Sequence, residues 1–203
     1  MMDPSDSELI ERTLGGDEGA FAELVRRYQS AVWGTVHRVL GSSSENEDAV
    51  QEVFLRAFAA LGKFDRRYPF GPWVARIATN YCIDQLRRKR SRKVQLWSEL
   101  REHEQERLLR DLSMERGPVS AGPGVEDSEG YARVARALLD GLNPKYRAAF
   151  ILREVDDKDY GEVAAALGTS EVAARVRVSR ARAELQRKFR AYLRGCGAKE
   201  RER

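Results

Sequence analysis

Two clusters of cationic side chains, far apart in the chain, are the residues best suited to chemistry. The first is Arg87-Arg88-Lys89-Arg90, and the second comprises Arg175, Arg177, Arg180 and Arg182. Such groups bind phosphate oxygens, and neutralising several phosphates releases condensed counterions, which gives affinity without any reading of sequence. The clusters therefore predict that the chain holds a polyanion at two places, and duplex DNA is the first candidate.

Composition excludes several other classes of protein. The 203 residues allow one or two domains, and no apolar run approaches the roughly 18 residues of a membrane span. The acidic N-terminus lacks the layout of a secretory signal, so we expect a cytoplasmic protein without membrane insertion. Cys82 and Cys196 stand alone, with only two histidines in the chain, so no metal site and no cofactor are predicted. Cys82 is expected to pack between helices.

Charge is distributed unevenly and suggests separate modules. Residues 1–92 carry a net charge of +1, residues 93–128 of −3 and residues 129–203 of +6. Residues 117–124 read GPVSAGPG, which is typical of a flexible linker. We therefore predict a first domain over 1–92, a linker over 93–128, a second domain over 129–195 and a disordered tail over 196–203. Within the linker, residues 94–114 could form a charged helix.

The first domain is predicted to be entirely helical. Apolar residues at helical spacing follow Asp17, a good N-cap, until Gly41 ends the run. A capping box at Ser44-Glu45-Asn46-Glu47 predicts the start of a second helix, which Gly62 ends. A third helix should begin near Gly71-Pro72, because proline suits a first turn, and should continue into the first cationic cluster.

A loop rich in aromatic and arginine residues joins the second and third of these helices. Its aromatic residues are Phe64, Tyr68, Phe70 and Trp73. Aromatic faces can stack on exposed bases at roughly 1–3 kcal/mol per base while nearby cations follow the backbone, so the loop suits unpaired DNA. The alternative is that Phe64, Phe70 and Trp73 fill the core between helices, and the sequence favours neither interpretation for any one of them.

The second domain is predicted to contain a helix-turn-helix. A capping box at Asp159 and Glu162 opens a short helix, Gly168 ends it, and Thr169 and Ser170 can cap the next helix. In that next helix Ala174, Val178, Ala181 and Leu185 recur at core spacing. The opposite face then presents Glu171, Val172, Arg175, Val176 and Ser179. Such a face places side chains in the major groove, with flanking arginines on phosphates.

Four further stretches resemble the bacterial extracytoplasmic-function sigma factors, the minimal sigma subunits of RNA polymerase. They are residues 47–58 (EDAVQEVFLRAF), residues 72–80 (PWVARIATN) with Asp84 and Leu86-Arg87-Arg88, residues 142–147 (LNPKYR) and residues 179–182 (SRAR). The resemblance covers nearly the whole chain. It implies an all-α fold in which sigma region 2 and sigma region 4 form two helical domains joined by a flexible linker.

The resemblance also implies roles for three sets of residues. Those implied to dock on the clamp helices of the polymerase largest subunit are Asp48, Gln51, Glu52, Phe54, Leu55 and Phe58, although an ordinary amphipathic core helix is the alternative. Those implied to read and melt the minus-ten element are Phe64, Tyr68, Phe70, Trp73, Arg76, Asn80, Arg87 and Arg88, with Asn80 bonding the edge of an unstacked base. Those implied to read the minus-thirty-five element are Ser170, Glu171, Val172, Arg175, Val176, Arg177, Ser179, Arg180 and Arg182.

The expected partners are core RNA polymerase, through its clamp helices and flap region, promoter DNA and an anti-sigma factor. The linker either threads toward the active site and RNA exit path or serves as a plain tether. No nucleophile, base and orienting group occur together, so no catalysis is predicted. The alternative function is that of a stand-alone helix-turn-helix regulator that binds duplex DNA, for which the aromatic loop would have no use.

Overall fold

The computed structural model describes residues 4–41, 43–99 and 128–200, and within these ranges every regular element is helical. The first half contains α1 (Asp6–Leu14), α2 (Glu18–Leu40), α3 (Asn46–Ala60), a 3-10 turn (Leu61–Lys63) and α4 (Phe70–Glu99). The second half contains α5 (Ser128–Asp140), α6 (Pro144–Phe150), a π-helical turn (Ile151–Val155), α7 (Tyr160–Leu167) and α8 (Glu171–Glu200). The predicted all-α fold is confirmed.

Helix α1 has no counterpart among the predictions. Its nine residues bury only two large apolar side chains, Leu9 and Ile10, which is too few to produce a recognisable periodicity. A capping box of Ser5 and Glu8 begins it. Asp6 then fastens it to α2 by accepting a hydrogen bond from the Tyr28 hydroxyl. Burial and this bond raise the pKa of Tyr28 to about 12.

The predicted ends of α2 are confirmed, whereas the predicted start of α3 is wrong. Asp17 accepts a hydrogen bond from the Ala20 amide at 3.2 Å, and Gly41 ends α2. Helix α3 begins at Asn46 without a side-chain cap, so no capping box forms at Ser44. The physical reason is that Asn46 lies in the core, where its amide donates to the Gly41 carbonyl at 2.9 Å and fixes the connection instead.

One continuous helix, α4, joins the predicted third helix to the cationic cluster. Val74, Ala78 and Tyr81 are buried in the core that α4 forms with α2 and α3. Of the charged helix predicted over 94–114, residues 94–99 belong to α4, and the rest of that stretch lies outside the described residues. The predictions for residues 117–124 lie outside them as well.

The helix-turn-helix forms as predicted. The Asp159 carboxylate accepts from the Glu162 amide at 2.8 Å, and the Glu162 carboxylate accepts from the Asp159 amide at 2.9 Å. Gly168 ends α7 with φ of 58°, and the Ser170 hydroxyl accepts from the Ala173 amide at 3.2 Å. The predicted disordered tail needs correction, because α8 continues to Glu200. Residues 201–203 are not among those described.

The two halves pack directly on each other through α4, α6 and α7. Buried residues of both halves form one continuous apolar cluster that includes Cys82 of α4 and Val163 of α7. Cys82 is the packing thiol predicted, and burial raises its pKa to about 12 although the nearby Arg147 guanidinium acts in the opposite direction. Arg147 is itself buried and pairs with Asp140. We call the packing of α4 against α6 and α7, which connects the two halves, the joint.

An ion pair and a close approach accompany the apolar part of the joint. Arg38 of α2 pairs with Asp156, which follows the π-helical turn. Burial raises the pKa of the Asp156 carboxyl above its ordinary value, while Arg38 opposes that rise. The Arg76 guanidinium of α4 lies against Gly168, so that a Cβ there would stand 2.7 Å from one guanidinium nitrogen.

Replacing Gly168 by alanine should lower the free energy of unfolding by about 1–2 kcal/mol, because a side chain in the left-handed region is strained. Chemical denaturation measures the change. Gly62→Ala is the matched control, since no atom lies within 4 Å of its Cβ position, and should leave stability nearly unchanged. Equal stability of Gly168→Ala and the wild-type protein would contradict the strained conformation.

Candidate nucleic-acid interface

Polar residues form one stripe along the outer face of α4. Arg76, Asn80, Asp84 and Arg87 follow at intervals of four, four and three, which places them on the same side of a helix, and all are exposed. Arg87 donates to Asp84 at 3.2 Å, while Asn80 makes no side-chain hydrogen bond to a described residue. Arg88 is also exposed. We call this set the α4 stripe; its amide and guanidinium donors suit a nucleic-acid strand.

The aromatic residues beside the α4 stripe pack on one another. The Phe64 and Trp73 rings lie 4.8 Å apart, and the Phe70 ring lies 5.4 Å from Trp73. Phe70 is only 1% exposed. Its predicted place on a base-stacking surface is therefore corrected: it fills the core, whereas Phe64 and Trp73 are half-buried around it. Tyr68, at 65% exposure, is the loop aromatic most open to a base.

The outer face of α3 carries an apolar patch beside acidic and amide groups. Leu55 and Phe58 are 65% and 51% exposed, and the Phe58 ring contacts Phe21 of α2. Asp48 and Gln51 are exposed on the same helix, and Glu52 is half-buried and pairs with Arg56 at 2.7 Å. Phe54, by contrast, is buried in the core, so its predicted place on the docking surface is corrected. Helix α3 is thus partly core and partly available surface.

Helix α8 separates a core face from an outer face. Ala174, Val178 and Ala181 are fully buried as predicted, and Leu185 is half-buried. The outer face exposes Ser170 before the helix, then Glu171, Val172, Val176 and Ser179, with Val172 at 71%. An exposed apolar side chain beside hydroxyls at a helix N-terminus suits the edges of bases in a major groove.

Three arginines of α8 are held by partners within the second half. Arg175 lies 4.3 Å above the Tyr160 ring and pairs with Glu171 at 2.5 Å. Arg180 donates to the Tyr146 hydroxyl at 3.0 Å. Arg182 pairs with Glu154 at 2.6 Å, and this contact raises the pKa of Arg182. Arg177 is half-buried. Phosphates would have to compete with these exposed pairs, which are weak in water.

Other kinds of site find no support among the described residues. They contain no group of three or more histidine, cysteine, aspartate or glutamate side chains placed to hold a metal ion. No helix in the described ranges is long and apolar enough to cross a membrane.

Sequence reasoning missed the residues of the joint. Arg38 and Asp156 are more than a hundred residues apart, and each occurs in a stretch where an exposed charge would be unremarkable. No local pattern could have found their pairing. The LNPKYR motif did single out Arg147, but only as part of the resemblance.

Comparison with known proteins agrees with this geometry. Residues 24–92 match the sigma-70 region 2 family and residues 132–185 match the sigma-70 region 4 family. The ECF RNA polymerase sigma-E factor of Escherichia coli K12 is 32% identical over 194 residues, covering 94% of this chain and 97% of that protein. The ECF sigma factor SigW of Bacillus subtilis 168 is 29% identical over 184 residues, covering 89% and 95%.

A solved structure is similar over the same length. CnrH, in complex with the cytosolic domain of CnrY, matches with a TM-score of 0.58 and 26% identity, covering 93% of this chain and 99% of that one. The likeness thus extends over both halves of the chain. The chain belongs to the ECF family of RNA polymerase sigma factors.

Proposed function

We propose that this protein binds core RNA polymerase and directs promoter recognition, DNA melting and the start of transcription, without catalysis of its own. The first half binds polymerase and the separated strands of the promoter DNA, and the second half binds intact duplex DNA. The family membership of the chain and the exposed surfaces of α3, α4 and α8 support this division.

The α3 surface is the proposed polymerase contact. Leu55 and Phe58 offer apolar area that the core does not use, and Asp48 lies on the same helix to meet basic side chains. Burying such a patch against another helix contributes roughly 25 cal/mol per Å² of apolar area removed from water. We propose that this surface binds the clamp helices of the polymerase largest subunit. The flap region of polymerase is the proposed partner of the second half.

The α4 stripe is the proposed minus-ten element reader. Asn80 lies between Arg76 and Arg87, so an amide that can bond a base edge stands between two groups that can hold the backbone. Tyr68 is the aromatic ring available for stacking. Phe70 is left out of this proposal because it is buried.

The outer face of α8 is the proposed minus-thirty-five reader. Val172 and Ser179 can reach base edges, and Arg175, Arg180 and Arg182 can exchange their internal partners for phosphates. Ser170, Glu171, Val176 and Arg177 complete the proposed surface.

One observation favours a sigma factor over a stand-alone helix-turn-helix regulator: Leu55 and Phe58 form an exposed apolar patch on the half of the chain that lacks the helix-turn-helix. A regulator that acts by occupying duplex DNA has no need of such a patch, whereas a polymerase subunit must dock. The aromatic loop separates the two functions less well than the sequence suggested, since Phe70 is core and its neighbours are half-buried.

The packed arrangement of the halves must open on a promoter. The minus-ten and minus-thirty-five elements lie about 25 base pairs apart, or about 85 Å at 3.4 Å per pair. The helices α4 and α8 have 30 residues each and are about 45 Å long, well short of that distance, so two halves packed on one core do not reach both elements. The 28 residues from 100 to 127 could span at most about 100 Å when fully extended, which is enough. We propose that polymerase holds the two halves apart and that the joint closes when it is released.

A dedicated anti-sigma factor is the remaining proposed partner. The similar structure of CnrH is a complex with the cytosolic domain of another protein. The apolar α3 patch and the outer faces of α4 and α8 offer such a partner surfaces that polymerase and DNA would otherwise occupy.

Run-off transcription tests the proposed function. Core polymerase reconstituted with this protein should start RNA chains at defined sites on a library of genomic fragments, whereas the protein alone should bind those fragments weakly. The absence of defined start sites, together with tight binding of duplex by the protein alone, would instead support the stand-alone regulator.

Replacing Leu55 by alanine should weaken binding to core polymerase by about tenfold, because the contact loses buried apolar area. Fluorescence titration of labelled protein with core enzyme measures the affinity. Leu14→Ala is the matched control: Leu14 is 50% exposed on α1, a helix outside the proposed contact, and its loss should leave binding unchanged. Equal losses in the two variants would argue against a specific α3 contact.

Replacing Asn80 by alanine should impair open-complex formation while leaving polymerase binding intact, because the exposed amide makes no hydrogen bond with the described part of the protein and its loss removes a base contact only. Permanganate footprinting of unpaired thymines reports melting, and the titration described above reports binding. A parallel loss in both measurements would show that Asn80 acts through folding or docking instead.

A further inference from the structure

A cleft of about 620 Å³ lies between the two halves, where α4 passes the start of α6. The residues that line it are Arg87, Arg90, Ser91, Asn143, Pro144 and Lys145. The first three belong to α4 and the last three to the second half. The cleft has this form only when the joint is closed, because each half supplies one wall.

The walls of the cleft are cationic. Arg87, Arg90 and Lys145 contribute three positive charges, and no carboxylate lines the cleft. Arg87 is paired with Asp84 at 3.2 Å, and both side chains of that pair are about half exposed. Arg90 and Lys145 form no ion pair with any described residue. Closing the joint therefore brings together like charges, two of which form no ion pair within the described part of the chain.

The neutral polar groups of the cleft are also arranged as donors. The Asn143 side-chain oxygen is occupied, because it caps α6 by accepting from the Lys145 amide at 3.0 Å. This orientation leaves the Asn143 NH₂ group able to donate. The Ser91 hydroxyl, on the opposite wall, can donate as well. Three cations and two neutral donors form a set that suits an anion with several oxygen atoms.

We propose that this cleft binds a small polyphosphate anion, of the kind carried by nucleoside polyphosphates or by inorganic polyphosphate, and that the anion bridges the two halves. A single phosphate carries at most about two negative charges at neutral pH, fewer than the three cations of the cleft, whereas a chain of phosphates can match them. Its negative charge relieves the repulsion that closure creates. Because the cleft is complete only in the closed protein, such an anion favours closure in proportion to its preference for that state.

The anion would also compete with DNA at one residue. Arg87 belongs to the α4 stripe, so an anion in the cleft occupies a side chain that the minus-ten element would use. Arg90 and Lys145 lie outside every surface proposed above. The site therefore goes beyond the proposed function and does not depend on it, since binding to the protein alone needs neither polymerase nor promoter.

Isothermal titration of the full-length protein with sodium tripolyphosphate, at physiological ionic strength, tests the site. We expect one anion per chain. Lys145→Ala and Arg90→Ala should each weaken the affinity by about five- to tenfold, although the two residues lie on different halves, and Lys145→Arg should retain most of it. Lys63→Ala and Arg136→Ala are the matched controls, because each removes one exposed cation elsewhere.

Four outcomes would overturn the proposal: no binding of tripolyphosphate, equal weakening by the control variants, loss with Arg90→Ala but not Lys145→Ala, or loss with Lys145→Ala but not Arg90→Ala. The second would indicate a general attraction of anions to a basic protein, and the last two a site confined to one half.

A parallel titration with ATP distinguishes the sources: affinity equal to that for tripolyphosphate assigns the contact to the phosphates, and tighter binding adds a contact to the nucleoside. Run-off transcription remains a separate measurement, so failure here leaves the proposed function untouched.

Discussion

The rest of the structure depends on the joint, in which α4 of the first half is packed against α6 and α7 of the second. Its apolar part buries Cys82 and Val163 in one shared cluster. Its polar part is costly as well as specific, because Arg147 and Asp156 are largely removed from water. In a buried ion pair the attraction between the charges often only offsets the free energy of hydration that both groups lose. Removing one partner, by contrast, leaves the other charge buried and unpaired. The pair of Arg38 and Asp156 therefore adds little net stability to the closed form, but removing Arg38 would leave the Asp156 carboxylate buried without its partner.

This balance makes the joint suitable for opening. When the halves separate, exposure of apolar area is unfavourable, but Asp156 and Arg147 regain water, which offsets part of that cost. Helix α4 belongs to the core of the first half and to the joint at once, since it also packs on α2 and α3. The α4 stripe lies beside the contact, with Arg76 against Gly168 at one end and Arg87 in the cleft at the other. Closure therefore engages both ends of the stripe while Asn80 between them stays exposed.

The sequence predicted elements better than it predicted exposure. Asp17, the capping box of Asp159 and Glu162, and the turn at Gly168 were readable because a cap or a left-handed turn is decided by a few neighbouring residues. The resemblance placed Phe54 and Phe70 on binding surfaces although both are buried, because a shared motif does not tell which apolar residue of a partly exposed helix or loop faces the core. Helix α1 was not predicted because it has too few buried apolar residues to give a recognisable helical periodicity. The pairing of Arg38 with Asp156 could not be read at all, since only the tertiary fold brings these residues together.

The internal partners of the α8 arginines affect how tightly the protein binds DNA. A helix with eight cations against two anions over residues 170–194 would attract any polyanion. Glu171 and Glu154 partly neutralise Arg175 and Arg182, and Tyr160 and Tyr146 hold Arg175 and Arg180 in fixed positions. A phosphate must replace these contacts on any duplex, so each arginine contributes less to DNA affinity than an unpaired arginine would. Because this cost is the same for every duplex, it lowers the overall affinity of α8 without changing its selectivity, and docking on polymerase compensates by holding α8 near the promoter at a high effective concentration.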